Sequence, residues 1–99
     1  MVKHIVFWRF KVSAAGQTKQ QNMEQVKRQL EGLRGLSGVI AVEVGFDMLN
    51  VDASCDVALY SAFENQAALD AYQQPPDHVA IKQFLGDVSE ERYVVDYVV

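Results

Sequence analysis

The strand-forming segments of this chain are apolar on both faces, and this restricts its possible folds more than any other feature. Residues 2–11 (VKHIVFWRFK) are β-branched and aromatic and read as a strand. Alternation places His4, Val6, Trp8 and Phe10 on one face, with Ile5, Phe7 and Arg9 on the other. Residues 55–63 (CDVALYSAF) set Val57 and Leu59 against Ala58 and Tyr60. Residues 91–99 (ERYVVDYVV) set Val94 and Val98 against Tyr93, Val95 and Tyr97. An antiparallel sheet with one wet face should alternate apolar and polar residues, and this one does not. Helices can cover one face only. In a chain of 99 residues the natural cover for the other is a second copy, so a homodimer packed sheet to sheet is expected.

The remaining elements follow from periodicity. Residues 12–16 read as a loop. From about Gln17 to Leu33 the apolar residues Met23, Val26, Leu30 and Leu33 recur at spacings of three and four, a single helical stripe. Residues 39–48 (VIAVEVGFDM) read as a strand, and 49–54 (LNVDAS) as a loop. The segment ENQAALDAYQ reads as a short helix stopped by Pro75 and Pro76. Asp77 is placed to cap a further turn or two that carries His78, Ile81, Phe84 and Leu85 to Gly86. The order β-α-β-β-α-β is the ferredoxin-like α+β arrangement, an antiparallel four-stranded sheet with helices on one face. The chain reads as a single domain.

Composition narrows the class of protein. The net charge of −4 argues against a nucleic-acid or anionic-membrane surface. No apolar run approaches the ~20 residues of a membrane helix, and the apolar start lacks the pattern of a signal peptide. The single Cys55 has no cysteine partner for a disulfide or a zinc site and reads as a small strand residue. A cytoplasmic protein is the plain expectation.

Chemistry concentrates in the stretch AYQQPPDH, where Tyr72 and His78 lie six positions apart across the double proline. Only two histidines occur in the chain. A histidine titrates near neutrality, and a nearby phenol can orient or polarise an oxygen. Arg92 shares a strand face with Asp96 and could contact an anion or form a salt bridge, the salt bridge being favoured. His4, His78 and Asp96 are metal-ligand types, but a metal site is not favoured.

The segments VKHIVFWRF, DVALYSAFENQAALDAYQQPPDHV and VVDYV together resemble the stress-responsive A/B barrel domain family (Dabb), with AYQ…P.H the most specific part. The resemblance implies a dimeric α+β barrel of two ferredoxin-like subunits. It also implies a pocket between sheet and helices. The clearest enzyme of that family is the plant polyketide cyclase that makes olivetolic acid, by an intramolecular aldol condensation of a linear tetraketide without any cofactor. Tyr72 and His78 match its acid–base pair, His4 matches a first-strand histidine at its pocket, and Asp96 matches an aspartate supporting the catalytic histidine. The chain departs from it at Val57, where the cyclase carries another histidine, and throughout the preceding helix.

On this pattern Asp96 would accept a hydrogen bond from His78 and raise its basicity. His78 would abstract a proton next to a carbonyl, and Tyr72 would donate to the enolate oxygen. Val6, Trp8, Met23, Val57, Leu59, Ile81, Phe84 and Val94 would line a site for a small carbonyl or aromatic molecule. Trp8 is bulky enough to reduce its volume. Three readings stand side by side. One is a cofactor-free cyclase or isomerase. The second is a non-catalytic dimer that binds a ligand or protects other proteins under stress, with its pocket closed by Trp8 and Phe84. The third is a cofactor-independent monooxygenase.

Overall fold

In the computed structural model, which describes all 99 residues, the first strand segregates its side chains as its alternation dictates. Val2, His4, Val6, Trp8 and Phe10 are buried, while Phe7 on the reverse face is 41% exposed. The elements in chain order are β1 (Val2–Phe10), β2 (Ser13–Ala14), β3 (Gln17–Thr18), α1 (Lys19–Glu31), β4 (Val39–Phe46), β5 (Val57–Phe63), α2 (Gln66–Tyr72), α3 (Pro76–Val88) and β6 (Ser89–Val98). The main sheet has the order β4-β5-β1-β6, and every neighbouring pair is antiparallel. This is the ferredoxin-like α+β fold, with its second helical segment split in two. No helix is long and apolar enough to cross a membrane.

Local chemistry explains where the elements begin and end. The expected loop at residues 12–16 and the expected start of the helix at Gln17 together form the hairpin β2–β3, with Ala15 and Gly16 both at positive φ in the two-residue turn, as such tight hairpins require. Thr18 caps α1: its hydroxyl accepts from the Gln21 N–H, and the Gln21 side chain accepts from the Thr18 N–H. The apolar stripe then buries Met23, Val26 and Leu30 under the sheet. Asn22 is buried with them, its amide donating to the Ala14 carbonyl and accepting from Gln17.

Two expectations for α3 are corrected. Asp77 is not its cap. The helix starts at Pro76, whose fixed φ suits the first helical position, and Asp77 lies inside the first turn, where its charge complements the helix dipole. Nor does Gly86 end it. The helix continues to Val88, which is fully buried, so packing of that last turn outweighs the weak helix propensity of glycine.

The helices do not cover the sheet evenly. β6 is an edge strand, and Val94 on its helix-facing side is still 49% exposed. On the reverse face Phe7, Tyr93, Val95 and Tyr97 form an exposed apolar surface, the two-sided character read from the sequence.

Gly38 lets α2 dock against the start of β4. Its φ is +81°, and a Cβ there would lie 2.6 Å from the Cβ of Ala68. Gly38→Ala should therefore destabilise the protein by about 1–3 kcal/mol, from the left-handed backbone and the overpacking together. Gly35→Ala, with open space around it, should be near neutral. Urea unfolding of the two variants checks this, and equal losses would contradict the docking role.

Candidate functional site

Between the sheet and α3 lies a cavity of about 370 Å³. Its floor comes from β1, through His4, Val6 and Trp8, with Leu59 of β5 beside them. α1 contributes Leu30, and α3 contributes His78, Ile81, Lys82, Leu85 and Gly86. Gln73, Ser89 and Arg92 complete the wall. The strand period makes the floor: His4, Val6 and Trp8 alternate onto the helix side of the central strand. The helix period makes the opposite wall, since His78, Ile81, Lys82 and Leu85 recur at three and four residues.

His4 is held by register. The β1–β6 pairing sets His4 directly across from Asp96, and the imidazole Nδ1 hydrogen-bonds the Asp96 Oδ1. An ionised carboxylate can only accept, so Nδ1 is the donor of this bond and Nε2 is the nitrogen that the pair leaves free. The His4 side chain is 9% exposed and that of Asp96 41%, so the pair bridges the interior and the sheet edge. The His4 carbonyl also accepts from the Ser61 hydroxyl at 2.9 Å.

His78 is of a different kind. It is buried, and its Nδ1 has no hydrogen-bond partner. Burial pulls its pKa down to about 4, with the Lys82 and His4 charges acting in the same direction, so the ring is neutral at physiological pH. Tyr72 packs edge-on against it with ring centroids 4.5 Å apart, and Phe63 lies 4.9 Å beyond Tyr72. The Tyr72 hydroxyl is buried without a partner, and burial pushes its pKa up to about 12. It can donate a hydrogen bond but does not ionise in the physiological range.

The structure redraws several sequence expectations. Asp96 pairs with His4 and not with His78, because Asp96 and His4 are register partners in the sheet while His78 comes from the helical layer. Tyr72 supports His78 and is not on the cavity wall. Arg92 lines the cavity and makes no salt bridge; its neighbour Glu91 points to the reverse face, where it pairs with Arg9 at 3.6 Å. Of the other expected lining residues, Val6, Trp8, Leu59 and Ile81 are on the wall. Met23 and Val57 are absorbed into the core, Phe84 packs against that core, and Val94 sits exposed on the edge strand. Trp8 and Phe84 therefore do not close the cavity. His4, His78 and Asp96 are not gathered into a metal-binding cluster.

Among the wall residues that sequence reasoning missed, Leu30, Lys82 and Leu85 carried a signal: Leu30 lies on the α1 stripe, and Lys82 and Leu85 stand four and seven positions from His78 on one helix face. Gln73 and Ser89 carried none, since only the chain path at the helix ends brings them to the mouth.

The model of the stress responsive A/B barrel domain, Dabb, matches residues 2–99, so the chain belongs to this family. Among solved structures, a dimeric protein of unknown function and ferredoxin-like fold from Bacteroides fragilis NCTC 9343 is 34% identical, with a TM-score of 0.83 over 97% of this chain and 93% of that one. A Dabb family protein from Mesorhizobium loti is 24% identical, with a TM-score of 0.71 over 98% of this chain and 94% of that one. A hydroxynitrile lyase from Passiflora edulis is 22% identical, with a TM-score of 0.79 over 99% of this chain and 92% of that one. At those lower identities the likeness is one of fold. No curated protein matches the chain.

The neutral state of His78 makes stability depend on pH. Its folded pKa of about 4 lies below the ordinary 6.5, so between those values the unfolded chain binds a proton that the folded chain refuses. This contribution is intact above pH 6.5 and is lost as the pH falls toward about 4. Melting temperatures across that window should drop more steeply for the native protein than for His78→Gln. Parallel curves would mean that His78 is not the group responsible.

Proposed function

We propose that this chain is a homodimeric acid–base enzyme that works with its own side chains on a small carbonyl compound bound in the cavity. The observation that carries this reading is a pair of unlike imidazoles lining one cavity from opposite sides. His4 is oriented by Asp96 with Nε2 free, and His78 is buried, neutral and unpartnered.

The two rings suit different tasks. A histidine held in one tautomer by a carboxylate is built to take a proton, so His4 Nε2 is the base that removes a proton from the carbon next to the carbonyl. A neutral imidazole that resists protonation is a poor base but a good N–H donor, so His78 polarises the carbonyl and stabilises the enolate oxygen. Tyr72 keeps the His78 ring in place. This division of labour differs from the one the family resemblance implies, in which His78 is the base and Tyr72 the donor. The hydroxynitrile lyase of the same fold supports a fold able to house chemistry on a small molecule.

The dimer reading rests on the exposed reverse face of the sheet, where Phe7, Tyr93, Val95 and Tyr97 offer an apolar surface that a second copy would cover. The B. fragilis protein, described as dimeric, supports it.

Exchange of carbon-bound hydrogen for deuterium in simple ketones and β-diketones, followed by NMR, detects the proposed step without knowledge of the natural substrate. The protein should accelerate exchange, and His4→Asn or Asp96→Asn should lose roughly 10²–10⁴-fold of that rate while staying folded. His78→Phe should be similarly impaired, and Tyr72→Phe should stay within a few-fold of the native protein. Exchange no faster than in buffer would leave a non-catalytic ligand-binding dimer, and accelerated exchange unaffected by the histidine substitutions would remove the roles assigned to His4 and His78. For the assembly, sedimentation should give twice the 11.1 kDa chain mass, and Val95→Glu should shift the protein toward monomer.

A further inference from the structure

The charge of the cavity is opposite to that of the molecule. The chain carries 13 acidic against 9 basic residues, yet none of the 13 residues lining the cavity is Asp or Glu, while Lys82 and Arg92 both are there. The one carboxylate bonded to a lining residue, Asp96, is committed to His4.

The two cations differ in how they are engaged. Lys82, on α3, donates to the Gln73 side chain at 3.1 Å, a neutral partner that leaves its charge uncompensated. Arg92, on β6, has neither a carboxylate nor a hydrogen-bond acceptor within the chain, although acids flank it in sequence at Glu90 and Glu91. Its register partner is Trp8, so it stands on the helix-facing side of the sheet beside the indole. Both cations are exposed. A single exposed charge is worth little by itself, but two like charges at the mouth of an apolar cleft focus the field there. Beneath them the wall is apolar, built from Val6, Trp8, Leu59, Ile81 and Leu85.

From this arrangement we infer that the cavity selects small organic carboxylates, with the carboxylate between Arg92 and Lys82 at the mouth and an apolar or aromatic body against Trp8. The guanidinium fork matches the two oxygens of a carboxylate, and the ammonium adds a point charge. The inference rests on the reading of this cavity as the functional site and narrows the carbonyl compound proposed above to one bearing an acid group. A carboxylate at the mouth would leave the apolar body facing the two imidazoles, so the acid serves as a handle remote from the reacting carbon.

Trp8 is the only tryptophan and lines the cavity, so its indole N–H resonance reports binding directly. We would titrate the native protein with phenylacetate, 1-naphthylacetate and octanoate, each against its primary amide, which keeps the shape and removes the charge. At least one acid should shift the Trp8 resonance and bind about tenfold tighter than its amide, as loss of one charge-assisted contact implies. The preference should shrink in high salt and disappear in Arg92→Gln/Lys82→Gln, which changes only exposed side chains.

Equal binding of acid and amide overturns the inference, as does an acid preference that survives in the double variant, or no response of Trp8 to any acid. The ketone exchange assay separates this from the catalytic reading. A protein that prefers acids through Arg92 and Lys82 but exchanges neither simple ketones nor aryl keto acids sustains the inference and removes the catalysis. One that exchanges ketones but ignores the acid charge removes the inference alone.

Discussion

Everything at the site depends on the antiparallel pairing of β1 with both of its neighbours. β1 is central, and its register with β6 brings His4 to Asp96 and Trp8 to Arg92, while its register with β5 sets Val6 beside Leu59. Side chains alternate with a period of two, so a slip of one residue would turn Ile5 and Phe7 toward the helices and His4 and Trp8 outward. The core forbids that slip: Val6, Trp8 and Phe10 are almost completely buried, and the reverse set is shorter and includes Lys3 and Arg9. Hydrophobic burial thus fixes the register, and the register places the charged and titratable groups.

The two histidines show how one cavity can hold rings of opposite character. His4 stands on a strand next to the sheet edge, where a carboxylate on the neighbouring strand can reach it and still touch solvent. His78 stands in the helical layer beneath Tyr72 and Phe63, where desolvation favours the neutral ring. Leaving the His78 nitrogen and the Tyr72 hydroxyl buried without partners costs stability.

Much of this was legible from the residues. The order of elements along the chain, the two-faced sheet and the faces of β1 and β6 follow from period-two and period-3.6 patterns, whereas a cavity between sheet and helices holding His4 and His78 was implied by the family resemblance and not by periodicity. The errors share a cause. Met23, Val57 and Phe84 are apolar residues on the correct faces, but position along an element decides between core and cavity, and periodicity carries no information about that. Asp77 and Gly86 were read by local propensity, which a fixed proline and the burial of Val88 override.

The sequence by itself determined the fold, the family and which side chains share a face, because alternation and helical spacing are local properties of the chain. Only the tertiary structure decided who partners whom. Asp96 lies 92 positions from His4 and 18 from His78, yet it bonds the former, since strand register and not chain distance sets contact in a sheet. The same holds for the lack of an ion pair at Arg92, despite Glu90 and Glu91 before it, and for the presence of Lys82 in the same cavity. Charge balance around a cavity is a sum over elements remote in the chain, and it exists only once they are packed.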